Sequence, residues 1–237
     1  GPAVGDHLSG TYMATAIMLA LINKKKTGKG QKIDIAILDC LFSILEAAPI
    51  TYCMTGSVPP RVGNAYPSIS PYDTFRTKDG YVAIGVSTDA QWFKFCDVLG
   101  MEDLKAKEEY KTNESRGDHY ENGLKQAIEA VTSQMSKFEI EDKLRAARLA
   151  CGAVYTVPEA MATQQIADRE MLKTVYDEGI GEEIRIPGTV IKMSETPGGF
   201  TEGAPTLGKH TREYLTKLGY TEEQLQDLAE RKIIAMA

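Results

Sequence analysis

The strongest constraint on folding is an apolar run near the amino end. From Tyr12 to Ile22 only Thr15 interrupts a series of Ala, Ile, Leu, Met and Tyr residues. Such a run is too short to cross a bilayer and is apolar on every side, so it predicts a helix buried in a globular core. Asp6 stands just ahead of it, in Gly5-Asp6-His7-Leu8-Ser9-Gly10. An aspartate there can cap the helix by accepting a backbone N–H of the first turn. The same helix end also favours an ionised carboxylate, which can then act as a nucleophile. Spacing alone favours the cap.

Composition narrows the partners. The 237 residues carry a formal net charge of −6, which argues against general affinity for nucleic acid or anionic membranes. One basic cluster, Lys24, Lys25, Lys26, Lys29 and Lys32, surrounds a glycine-rich turn and fits a solvated helix end. Cys40, Cys53, Cys96 and Cys151 are widely spaced, and with three histidines they offer no metal constellation. Reduced thiols and the lack of a membrane-length apolar segment lead us to expect a cytoplasmic protein.

Periodicity divides the chain. Asn23 to Gly30 marks a helix stop, and Lys32 to Leu38 predicts a strand apolar on both faces, inside a helix-covered sheet. Asp39 is expected to cap a helix ending before Pro49. Residues 1–56 thus predict the C-terminal part of a large α/β domain. Residues 57–71, dense in proline and glycine, form a linker. Residues 72–195 predict a smaller α/β domain: a hairpin turning at Lys78-Asp79-Gly80, a helix capped by Thr88 or Asp89 and stopped by Gly100, and a charged loop over 101–120. Helices follow over 121–133 and 137–149, the second opened by a Ser136…Glu139 capping box. Cys151 to Val157 predicts a strand, Pro158 begins a helix, and Thr174 to Met193 predicts edge strands. Residues 196–237 form a connector and two amphipathic helices.

Several motifs occur in a fixed order: Gly5-Asp6-His7-Leu8-Ser9-Gly10 running to Ala16, Thr27-Gly28-Lys29-Gly30-Gln31 running to Ala36, Pro60-Arg61-Val62-Gly63-Asn64, and Asp89-Ala90-Gln91-Trp92. Thr112-Asn113 with Arg116, Cys151-Gly152-Ala153-Val154, and Ala204-Pro205-Thr206-Leu207-Gly208-Lys209-His210-Thr211 complete the series. The ordered set resembles the family III CoA-transferases, the group that includes formyl-CoA transferase, carnitine CoA-transferase and the α-methylacyl-CoA racemases. The resemblance implies a Rossmann-like nucleotide-fold large domain, an interlocked homodimer, and Asp6 as the acyl-accepting carboxylate. It further implies that coenzyme A is a substrate and that no metal or other cofactor takes part. The chain is expected to be the C-terminal part of a longer enzyme and, lacking the segment that holds most of the CoA, to bind CoA poorly alone. The last two helices are expected to return to the large domain.

The Gly63 to Pro71 segment matches the loop that in formyl-CoA transferase is glycine-rich and folds over the acyl group. Here Pro67-Ser68-Ile69-Ser70-Pro71 replaces the glycine run, which implies a bulkier acyl group. Gly63, Asn64, Ser68 and Ser70 are the expected substrate-binding residues, with backbone amides of the loop facing the oxyanion. An α-methylacyl-CoA racemase is the alternative within the family, and a non-catalytic fragment or partner subunit is a second alternative. His7, His119 and His210 are expected to be structural.

Overall fold

A computed structural model of the protein describes residues 1–200 and 202–236. The chain, mixed α/β in class, divides into two compact units, Gly1–Ile69 and Ser70–Ala237.

The first unit contains α1 (Val4–Thr27), α2 (Ile37–Ser43) and α3 (Ala48–Thr55). Helix α1 ends where Gly28 adopts a left-handed φ of 76°, and Lys24, Lys25 and Lys26 in its last turn complement the negative end of its dipole. The expectation of a buried helix over Tyr12 to Ile22 is corrected. None of the 24 residues of α1 is buried, and Met18 and Leu19 are 55% and 61% exposed. A helix apolar all round needs cover on every side, and in residues 1–69 Cys40 is the only buried residue. Helix α2 shields one stripe: a Cβ on Gly5 would lie 3.0 Å from the Ile37 Cγ2, and the Tyr12 hydroxyl is 3.2 Å from the Ser43 Oγ.

The strand expected over Lys32 to Leu38 is not formed. Its backbone is still extended at Ala36 (φ −102°, ψ 135°), but residues 1–69 contain no strand to pair with it, and the chain turns helical at Ile37. Asp39 therefore lies inside the first turn of α2 and caps nothing. Pro49 opens α3 instead of closing the helix before it, in the one turn where its missing N–H is harmless. No single described helix is long and apolar enough to cross a membrane.

The second unit is built on a three-stranded antiparallel sheet, β1 (Tyr72–Thr77), β2 (Gly80–Gly85) and β3 (Ala150–Ala153), in the order β1-β2-β3. The Lys78-Asp79 turn joins the first two strands as expected. Phe75, Val82 and Ile84 are buried between the sheet and α4 (Asp89–Leu99), α7 (Lys125–Thr132) and α8 (Lys137–Ala146), together with Trp92, Phe95, Ile128, Ile140 and Leu144. Thr88 caps α4 in a full capping box with Gln91, and Gly100 stops it at a φ of 67°. At α8 only half of the expected box forms: the Ser136 hydroxyl accepts the Glu139 N–H at 3.1 Å, while the Glu139 carboxylate pairs with Lys143 at 3.1 Å instead.

The loop expected over 101–120 is instead three short helical turns: α5 (Glu102–Ala106), a 3-10 turn Glu108–Tyr110, and α6 (Asn113–Asp118). Each is too short to leave a helical period in the sequence; Thr112 caps α6 by accepting the Ser115 N–H at 3.2 Å. A kink over Tyr120–Leu124, with Gly123 at a φ of 140°, leads into α7, so the helix expected over 121–133 begins only at Lys125.

Beyond β3 come α9 (Val157–Met161), α10 (Gln164–Asp168) and the hairpin β4 (Leu172–Asp177) with β5 (Glu182–Pro187). Pro187 ends an edge strand, where a missing donor costs no ladder bond. The terminal helices α11 (Thr211–Lys217) and α12 (Glu222–Glu230) group with this unit.

Lys137 ties α8 to α9. It is 3% exposed, and its ammonium donates to the Glu159 carboxylate at 2.6 Å and to the Val154 carbonyl at 3.2 Å. The Lys137 hydrogen bond, backed by the N–H and hydroxyl of Thr156, lowers the Glu159 pKa from 4.5 to about 2. On acidification the unfolded chain takes up this proton first, so the stabilisation is complete above about pH 4.5 and is lost as pH falls towards about 2. Urea midpoints measured across that window are expected to fall with pH, and less steeply in Glu159→Gln.

Candidate active site

Asp6 is the third residue of α1, not its cap. Ala3 occupies the N-cap position and makes no side-chain bond. The Asp6 backbone carbonyl accepts the Ser9 hydroxyl at 3.1 Å. Its carboxylate is exposed and has no hydrogen-bond or ion-pair partner among the described residues. The capping role favoured by spacing is thereby removed. What remains is an acid in the first turn, where the free N–H groups of the helix end stabilise negative charge.

A groove of about 380 Å³ in the first unit runs between α1, α2 and residues 34–36, with Tyr12, Thr15, Leu19, Asp34, Asp39 and Cys40 in its walls. Neither Asp6 nor Gly63, Asn64 nor Ser68 lines it. Gly63 is exposed with a φ of 65°, and Asn64 and Ser68 are exposed. Ser70 belongs to the second unit and is 6% exposed. Its N–H donates to the Asn113 Oδ1 at 2.9 Å, so that amide is already committed and cannot also face an oxyanion.

Two of the ordered motifs, Asp89-Ala90-Gln91-Trp92 and Thr112-Asn113 with Arg116, meet around Arg116, a residue to which sequence reading assigned no role. Its guanidinium is fully buried and donates to the carbonyls of Ser70 (2.7 Å) and Tyr110 (3.0 Å) and to the Asp89 carboxylate (2.9 Å). It also lies 5.3 Å from the centre of the Trp92 ring. Burial pulls its pKa below the usual value, and the Asp89 hydrogen bond opposes that shift. A buried acid elsewhere in the unit, Asp73, accepts the Tyr120 hydroxyl at 2.9 Å and pairs with Lys125. Burial pushes the Tyr120 phenol well above its ordinary range.

His119 Nδ1 lies 2.8 Å from the Ser115 carbonyl, and the His210 ring packs edge-on to Tyr214. Cys96 is buried, which pushes its thiol up to about 12 and leaves it unreactive at neutral pH. Among the described residues no group of three or more His, Cys, Asp or Glu side chains is placed to hold a metal ion.

Comparison with known proteins identifies the family to which this mixed α/β chain belongs. The profile of CoA-transferase family III matches residues 1–211, and the chain belongs to that family. A succinyl-CoA–D-citramalate CoA-transferase of Chloroflexus aurantiacus is 29% identical over 99% of this chain and 58% of its own length. A succinate–glutarate CoA-transferase of Agrobacterium fabrum is 33% identical over 92% of this chain and 54% of its own. Among solved structures, a CAIB/BAIF family protein from Brucella suis superimposes with a TM-score of 0.76 at 31% identity, covering 92% of this chain and 56% of that one. The chain thus spans a little over half the length of these relatives.

Proposed function

We propose that this chain carries the reacting carboxylate of an enzyme that moves coenzyme A between an acyl-CoA thioester and a carboxylic acid. The observation that carries the proposal is the state of Asp6: first turn of α1, exposed, and engaged by no other side chain.

The chemistry follows from one nucleophilic oxygen. The Asp6 carboxylate adds to the thioester carbonyl, the C–S bond breaks, and CoA leaves as thiolate from a mixed aspartyl anhydride. The thiolate adds to the aspartyl carbonyl, releasing the donor acid as its carboxylate and leaving an aspartyl-CoA thioester. The acceptor carboxylate then adds to that thioester and expels the thiolate, which attacks the acceptor's acyl carbon and frees Asp6. Every step exchanges oxygen and sulfur at a carbonyl, so no electron acceptor is consumed. Each tetrahedral intermediate needs donors aimed at its oxyanion. The expected substrate-binding loop residues Gly63, Asn64 and Ser68 are exposed, and that supports the loop as their source.

The named relatives act on succinyl-CoA with D-citramalate and on succinate with glutarate, which supports short dicarboxylic acids as substrates here. The uncovered apolar faces of α1 to α3 support a large Rossmann-like domain in which the Ile33 to Ala36 segment finds strand partners. An interlocked homodimer and a cytoplasmic location belong to the same reading. Incubating the intact protein with succinyl-CoA and a second dicarboxylate, while following α-proton exchange of the acyl group in deuterated water, tests the activity. Transfer without exchange is expected; exchange without transfer would make the protein a racemase.

A further inference from the structure

Between Cys40 and Ser70 no residue is buried, and at Ser70 the chain is gripped at every polar atom. Its N–H donates to the Asn113 Oδ1 at 2.9 Å, its carbonyl accepts the Arg116 Nε–H at 2.7 Å, and its hydroxyl donates to the Arg116 carbonyl at 3.4 Å. All three partners come from α6, a helix only six residues long. The other guanidinium nitrogens are fixed on the Tyr110 carbonyl and on Asp89.

This is a costly way to fill space. Taking a guanidinium fully out of water carries a desolvation penalty that a methionine or leucine of similar volume would avoid. What arginine adds is a rigid fork whose donors fix the distance and direction of several acceptors at once. Here those acceptors include the backbone at the last residue of the 63–70 segment.

We propose that Asn113 and Arg116 are positioning residues for the transfer reaction: by holding the backbone of Ser70 on both sides they set where the loop ends and so where its amides stand. The inference rests on the reading above, in which that loop serves the acyl group. Positional errors of about an ångström can cost on the order of 10²-fold in rate.

The test uses three variants of the intact protein. Asn113→Ala removes the acceptor of the Ser70 amide, Asn113→Asp keeps an acceptor oxygen, and Ile128→Val trims the core of the second unit without touching Ser70. In Asn113→Ala, kcat is expected to fall about tenfold while KM for the acyl-CoA changes less than about twofold, the mark of an interaction used in the transition state. More of the thioester should be lost to water, and peptides covering 63–70 should exchange backbone hydrogen faster while 89–99 does not change. Asn113→Asp should restore kcat to within about threefold of the parent. Ile128→Val should keep the parent's kcat and its ratio of transfer to hydrolysis despite lower stability.

An Asn113→Ala protein with the parent's kcat, transfer ratio and loop exchange overturns the proposal. So does an Ile128→Val protein that reproduces every change seen in Asn113→Ala. Asp6→Asn in the same assay separates this from failure of the parent reading. Turnover retained there rejects the aspartate mechanism, whereas hydrogen exchange over 63–70 judges the Asn113 contact whatever the turnover.

Discussion

Replacing Asp6 with alanine is expected to lower CoA transfer by roughly 10³-fold or more while leaving thermal stability nearly unchanged. The two halves of that result have separate causes. Loss of a nucleophile that makes and breaks bonds in every step cannot be compensated by binding. Loss of an N-cap would cost about 0.5–2 kcal/mol, but Asp6 is not the cap. What its removal forfeits is the charge–dipole term, about 0.3–1 kcal/mol for an exposed group, offset in part by alanine's higher helix propensity. Asp6→Asn should behave alike, since an amide of the same shape is not a comparable nucleophile. Initial rates and circular-dichroism melts on the same preparations check both halves. A variant that loses activity only in proportion to its folded fraction would return Asp6 to a structural role.

Arg116→Met is expected to destabilise the second unit by about 2–4 kcal/mol, the cost of two buried carbonyls left without donors less the relieved desolvation of the guanidinium. The loss arises chiefly from what is left behind: the Ser70 and Tyr110 carbonyls, buried with their donor removed, and the vacated face of Trp92. The Coulomb share is small, because the Asp89 side chain is 49% exposed and water replaces its partner. Asp89→Asn should therefore cost about 1 kcal/mol or less. Lysine at position 116 should recover only part of the loss, since one ammonium cannot reach three acceptors arranged around a planar fork. Trp92 is the only tryptophan in the chain and is fully buried, so its fluorescence during urea unfolding reports this unit directly.

The second unit was legible wherever a local signal decides the backbone. The Asp79-Gly80 turn, the Thr88 cap and Gly100 stop of α4, and the Ser136 start of α8 follow from chemistry within four residues of each site. The first unit was not, because its pattern describes contacts that residues 1–69 do not supply. The Tyr12 to Ile22 run correctly announced a helix made for burial, yet that unit covers only the stripe facing α2 and buries none of its residues. Ile33 to Ala36 has the alternation of a strand, but a strand exists only against a partner.

The site shows the same division. Asp6 could be selected by its position before an apolar helix and by resemblance, whereas its cap assignment failed by three residues, a shift that no local rule resolves. The clamp around Ser70 was invisible because Ser70 and Asp89 are brought to Asn113 and Arg116, neighbours on α6, only by packing. Their recurrence in the ordered motifs was the one available hint.

The central claim is tested most directly by mass spectrometry of the intact protein after incubation with succinyl-CoA in the absence of acceptor, followed by peptide mapping. A covalent succinyl or CoA adduct is predicted on the Asp6 side chain, chased off by an acceptor dicarboxylate and absent from Asp6→Asn. Turnover with no adduct on that peptide, or with the adduct on another residue, would contradict it.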